Sequence, residues 1–81
     1  MNTDTLSADV TVDCVGKLCP IPVVETSKAV RKLDAGQTLL LIADDAGSDP
    51  DLHAWCDETG NELLRMDQEG RVFRFWIRRA G

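Results

Sequence analysis

Three cysteines, one histidine and a set of acids are the groups in this 81-residue chain that could do chemistry. One cysteine stands apart by its neighbours. In "VGKLCPIPVVE", Cys19 is followed at once by Pro20, Ile21 and Pro22, so two of the three prolines in the chain adjoin a single thiol. Proline suits the first turn of a helix, because its φ is preset near the helical value and it lacks the amide hydrogen that this turn leaves without a partner. The spacing therefore predicts a helix with Pro20 at its first position, Pro22 at its third, and Cys19 at or beside the N-cap. The free amides and the dipole of such an end, roughly half a positive charge, favour thiolate over thiol. That placement can lower a cysteine pKa from about 8.5 towards 7 or below. Lys17, two residues before the sulfur, is expected to add to the effect. The locked turn is expected to hold the sulfur outward, where another protein can reach it.

The other candidate groups read more simply. Three cysteines, with no secretory signal at the start of the chain, do not make a disulfide framework. Cys14 falls on the inward side of a strand pattern and Cys56 on the apolar stripe of a helix pattern. Both read as small buried hydrophobes, although either would be a resolving thiol if the fold brought it to Cys19. A Cys-x-x-Cys redox pair is missing from the sequence. Cys14 with Cys19, and His53 with Cys56, are two pairs that a small zinc-binding domain could use. The first has the wrong spacing for a zinc knuckle, and His53 reads as a solvated helix residue. Asp44 and Asp45 close an apolar run. If that run is a strand parallel to the first, they share a rim with Cys19, where Asp45 would tune the sulfur or meet a partner. Otherwise they are turn acids.

The elements that must position these groups follow from periodicity. Residues 1 to about 8 read as a loose tail of a single domain spanning 1–81. Val10, Val12 and Cys14 alternate with Thr11 and Asp13, as in a half-buried strand. Val23, Thr26, Val30 and Leu33 lie on one helical stripe that stops at "DAG" (34–36). "QTLLLIADD" is apolar through its middle, as in a strand covered on both faces. A second helix is expected with Asp49 as cap and Pro50 at its first position, carrying Leu52, Trp55, Cys56 and Thr59 inward to a stop at Gly60. "NELLRMDQ" and "RVFRFWIRR" form a hairpin through Glu69 and Gly70. In its last strand Phe73, Phe75 and Ile77 share one face, and Arg74, Trp76 and Arg78 share the other. The order β-α-β-α-β-β predicts a two-layer α/β sandwich, a four-stranded mixed sheet with two helices on one face. The strand order stays open.

Composition limits the function classes. The net charge is −5, a poor match for phosphate backbones, so direct nucleic-acid binding is disfavoured. The bases gather at Lys28, Arg31 and Lys32, and again at Arg71, Arg74, Arg78 and Arg79. No apolar run nears the roughly 18 to 20 residues that cross a bilayer, and the first residues lack the bases of a targeting signal. A cytoplasmic protein without membrane contact is expected.

The stretch "LCPIPVVETSKAVRKLDAGQTLLLIADD" resembles the TusA/SirA family of small sulfur-carrier proteins. The family hallmark, Cys-Pro-x-Pro at the start of the first helix, stands here as Cys19-Pro20-Ile21-Pro22. D-x-x-G-x-x-C-P-x-P from Asp13 to Pro22, G-x-x-L-x-x-x-A-x-D from Gly36 to Asp45 and G-N-E-L from Gly60 to Leu63 match as well. The resemblance implies a sulfurtransferase whose Cys19 takes sulfane sulfur as a persulfide from a cysteine desulfurase or a rhodanese. It then gives the sulfur to a thiol of the next protein in a relay, by transpersulfidation and without metal or organic cofactor. The family serves tRNA thiolation, molybdenum-cofactor maturation and sulfur oxidation, and its fold is the same two-layer sandwich. The other class of function is a non-catalytic binding or regulatory module in which Cys-Pro-x-Pro only starts a helix.

Overall fold

A computed structural model describes residues 8–80; most of the expected tail lies outside them. The chain runs β1 (Val10–Cys14), α1 (Ile21–Val30), β2 (Thr38–Ala43), α2 (Ser48–Thr59), β3 (Glu62–Glu69) and β4 (Val72–Arg78). The four strands form one mixed sheet in the order β1-β2-β4-β3. β1 lies parallel to β2, and β4 is antiparallel to both β2 and β3. The last strand therefore fills the gap between β2 and β3. Its residues explain that place: Phe73, Phe75, Trp76 and Ile77 are all buried.

Both helices cover one face of the sheet. The core joins Leu39, Leu41 and Ala43 of β2 with Phe73, Phe75 and Ile77 of β4, Cys14 of β1, Val30 at the end of α1 and Leu33 in the turn after it, and Leu52 and Cys56 of α2. These strand residues alternate along their chains, so they share a face. Full burial of residues such as Phe75, Leu39 and Leu52 stabilises the fold by about 1.5–3 kcal/mol each. β2 departs from the continuous burial expected of it. Leu39, Leu41 and Ala43 are buried while Thr38, Leu40 and Ile42 are half-buried, because neither of the described helices covers the other side. On that side the Arg65 guanidinium lies 5.4 Å from the ring centre of Trp76. Arg74 pairs with Asp67 at 2.7 Å and Arg78 pairs with Glu62. An irregularity between Leu63 and Arg65 shifts the phase of β3, so Leu63 and Met66 both meet the core.

The helix starts differ from expectation. α1 begins one residue late: Pro20 is the N-cap (φ −98°, ψ 18°), Ile21 the first position and Pro22 the second. The Ile21 amide turns back to Leu18 O at 2.9 Å, and the helical ladder opens only with Val24 N–H to Pro20 O at 3.1 Å. α2 begins two residues early. Ser48 N–H donates to Asp45 O at 2.9 Å, and this turn passes straight into the helix, with Gly47 as N-cap and Pro50 at the third position. Asp49 is therefore inside α2 and does not cap it. Gly60 stops α2 as expected, in the left-handed conformation (φ 80°) that glycine adopts at no steric cost.

α1 stops at Val30, short of the "DAG" segment, and its end is closed from a distance. Arg79, just after β4, donates from Nη1 to Val30 O at 3.2 Å, to Arg31 O at 3.1 Å and to Leu33 O. A cation on the last carbonyls of a helix satisfies acceptors the helix cannot and complements its dipole. Arg79→Met, which keeps the stem and removes the donors, is expected to lower unfolding free energy by about 1–3 kcal/mol in urea titration. A second expectation concerns the buried thiol of α2. Burial, helped by Asp57, pushes the Cys56 pKa from its ordinary 9.0 up to about 11. A pKa raised on folding gives stability that is complete below the unfolded value and lost as pH rises through the folded one. Between pH 9 and 11 the wild type should lose up to about 2 kcal/mol that Cys56→Ala, weaker at neutral pH, does not lose.

Candidate functional site

The parallel pairing of β1 and β2 matches Cys14 with Ala43, so both strands end at one rim of the sheet. The β1–α1 loop, which carries Cys19, and the β2–α2 loop, which carries Asp44 and Asp45, therefore leave side by side. The two acids join them. Gly16 N–H donates to Asp44 Oδ1 at 2.9 Å, and Cys19 N–H donates to Asp45 Oδ2 at 3.1 Å. The parallel pairing puts both acids on the rim they share with Cys19, and there they fix the loop backbone around the thiol.

The structure separates the three cysteines. Cys14 and Cys56 are buried and Cys19 is exposed. Cys19 sits ahead of α1 and against the first turn of α2. Its sulfur is hydrogen-bonded to Asp51 Oδ2. Gly47 is the close approach that makes room: a Cβ built on it would lie 3.1 Å from Asp45 Oδ2, 3.4 Å from Cys19 Cβ and 3.6 Å from Cys19 Sγ. A side chain there would crowd the Asp45 carboxylate and stand in contact with the thiol. Asp51 and Gly47 were missed in the sequence. Both lie in the "AGSDPD" segment, and the signal available was that this loop follows the strand paired with the cysteine's own.

The electrostatics reverse the expectation of a lowered thiol pKa. The hydrogen bond to Asp51 raises the Cys19 pKa above its ordinary value, with lesser upward contributions from desolvation and from the charges of Asp51 and Asp45. Proline has no amide hydrogen to offer at positions 20 and 22, and the Ile21 amide is engaged with Leu18. Lys17 acts on the neighbouring thiol: its charge lowers the pKa of Cys14, against the larger upward effect of burial there. The two prolines also divide. Pro20 is exposed beside the cysteine, while Pro22 is buried on the inner side of α1 with Thr26 and Val30.

Apolar side chains are exposed in the same segment as Cys19. Val15 (48% exposed), Leu18 (71%), Ile21 (44%) and Val24 (43%) all lie in its loop or the first turns of α1. A shallow groove between the helices, lined by Pro20, Val23, Asp51, Ala54, Trp55 and Glu58, opens next to them. The groups weighed for zinc do not converge: His53 pairs with Asp49 at 3.0 Å, and no cluster of three or more metal-ligating side chains occurs among the described residues. No helix among them is long and apolar enough to cross a membrane.

Comparison with known proteins agrees with the family resemblance. The family model for sulfurtransferase TusA matches residues 10–79. Two proteins of Bacillus subtilis (strain 168), both named as candidate sulfur carriers, are similar. YrkF is 40% identical over 76 residues, which cover 94% of this chain and 41% of YrkF. YrkI is 39% identical over 75 residues, which cover 93% of this chain and 100% of YrkI. The chain thus spans less than half of one relative and the full length of the other. The crystal structure of a SirA-like protein from Desulfitobacterium hafniense superposes with a TM-score of 0.77 at 26% identity, over 89% of this chain and 99% of that one. With the family model matched from β1 to just past β4, the chain belongs to the TusA family of sulfur carriers.

Proposed function

We propose that the chain carries a sulfane sulfur as a persulfide on Cys19 and transfers it to a thiol of a partner protein. The observation that carries this reading is the contrast among the thiols: Cys19 alone is exposed, and the other two are in the core. The family supports sulfur transfer in general, and the exposure of Cys19 favours it as the residue. In loading, Cys19 Sγ attacks the terminal sulfur of a donor persulfide. A new S–S bond forms on Cys19, the donor S–S bond breaks, and the proton of Cys19 ends on the departing donor thiol. Unloading is the same exchange with an acceptor thiol as nucleophile. Sulfur moves between thiols with no net oxidation, so the step needs no metal or organic cofactor.

The donor in this reading is a cysteine desulfurase or a rhodanese, and the acceptor is a protein of a sulfur relay. Transfer to tRNA thiolation, molybdenum-cofactor maturation or sulfur oxidation is the range of destinations, and the cytoplasm is the place of exchange. The exposed Val15, Leu18, Ile21 and Val24 support a protein as the partner, since exposed apolar side chains in the cysteine's loop and the adjoining helix turns suit a docking surface. Asp45 and Pro20 have positioning parts here: Asp45 holds the Cys19 amide and Pro20 fixes the turn into α1.

Two measurements test the reading. Incubation with a cysteine desulfurase and cysteine, or with polysulfide, should add one sulfur atom by intact mass. The adduct should be removed by reductant, absent in Cys19→Ser and retained in Cys56→Ala. No adduct on the wild type with either donor overturns the carrier reading. Leu18→Glu alters a side chain that is 71% exposed and should leave the fold unchanged. It is expected to slow loading from the desulfurase roughly tenfold while loading from polysulfide stays the same.

A further inference from the structure

Cys19 is exposed, yet its sulfur is not free. Asp51 reaches it from the first turns of α2, and Asp45 holds its amide from the β2–α2 loop. Gly47 lies against it without a side chain, and Lys17, the one base in its own loop, acts on Cys14. We propose that Asp51 is a restraining residue for sulfur exchange. By accepting the Cys19 proton in a hydrogen bond, it makes exchange slow with thiols in general and fast with a thiol that brings a cation against Asp51 and Asp45. The proposal rests on Cys19 being the sulfur-carrying residue.

The chemistry follows from the two faces of a thiol in exchange. As nucleophile, a cysteine reacts through its thiolate, so a carboxylate that holds its proton lowers the reactive fraction. As leaving group, a sulfur of higher pKa departs more slowly. One carboxylate therefore slows both undirected loading of the empty carrier and loss of cargo from the loaded one. The unloading step balances as Cys19–S–SH plus R–SH giving Cys19–SH plus R–S–SH. The thiolate of R–SH attacks the terminal sulfur, the bond between it and Cys19 Sγ breaks, and the proton released by R–SH returns to Sγ beside Asp51. An ammonium or guanidinium placed by the incoming molecule offsets the two acids, favours negative charge on the departing Sγ and removes the restraint. An anionic thiol meets repulsion instead. The direction in which the acids shift the Cys19 pKa agrees with this geometry.

Cysteamine and mercaptoacetate are small thiols of opposite charge, so they serve as probes. The protein is loaded with polysulfide, excess donor is removed, and loss of the sulfur to each thiol is followed by intact mass in wild type, Asp51→Asn, Asp51→Glu and Asp49→Asn. Asp49 pairs with His53 on the same helix and serves as the control for general charge removal. Asp51→Asn is expected to lose sulfur to mercaptoacetate severalfold faster than wild type, and its ratio of cysteamine to mercaptoacetate rates should fall. Asp51→Glu should keep much of the wild-type preference, and Asp49→Asn all of it. The pH profile for iodoacetamide alkylation of unloaded Cys19 should move to lower pH in Asp51→Asn. Unchanged rates, ratio and alkylation profile in an Asp51→Asn protein that still takes one sulfur overturn the restraint. A wild type that takes no sulfur overturns the carrier reading instead, and the alkylation profile, which needs no sulfur, still decides the role of Asp51.

Discussion

The structure depends on the tie between two loops at the ends of two parallel strands. β1 and β2 pair in register from Val10–Leu39 to Cys14–Ala43, which delivers both chain exits to the same rim. A loop that follows a strand has few backbone partners of its own, and here the acids at the end of β2 supply them. Asp44 takes the Gly16 amide and Asp45 takes the Cys19 amide, each across more than two dozen residues of sequence. Such charge-assisted bonds to backbone amides are stronger than neutral ones. They fix where Cys19 stands relative to α2, and without that alignment neither Gly47 nor Asp51 would meet the sulfur.

Two electrostatic influences compete at the thiol, and their reach decides between them. A helix dipole acts through the unpartnered amides of the first turn and fades within that turn. At α1 these amides are few, since two of the early residues are prolines and Ile21 is engaged with Leu18. A carboxylate in direct hydrogen bond with the sulfur acts at full charge and contact distance. The acid therefore prevails, and the Cys19 pKa moves up rather than down. A helix start and a depressed thiol pKa are thus separable. The first places the sulfur, while the second depends on what the neighbouring element brings.

Much of this was legible in the sequence. Alternation in β1 and β4, the stripe of α1, the stop at Gly60 and the layer arrangement all followed from side-chain periodicity, because burial on one face imposes a period that a single sequence records. Cys19 stood out because proline at the next residue has a local geometric meaning. Asp51 and the true roles of Asp44 and Gly47 were not legible, since each depends on contact between segments about 30 residues apart. The expected lowering of the Cys19 pKa failed for the same reason: it was read from neighbours along the chain, and the decisive neighbour, Asp51, came from α2. The helix boundaries erred by one and two residues where a turn ran on into a helix, a detail that propensity at a proline does not contain.

The Cys-Pro-x-Pro segment itself is divided between the fold and the surface. Pro20 and Ile21 stay exposed beside the cysteine, whereas Pro22 is fully buried at the second position of α1. A residue at that depth contributes through packing, and it lies on the same inner side as Thr26 and Val30, one and two turns further on. The second proline therefore anchors the first turn of α1 to the core while needing no amide partner there. An ordinary apolar residue at position 22 could supply the packing, but it would add an amide hydrogen in the first turn and loosen φ. The segment joins an exposed sulfur to a buried, conformationally fixed ring three residues later. That short distance lets a loop residue inherit its position from the core without being buried in it.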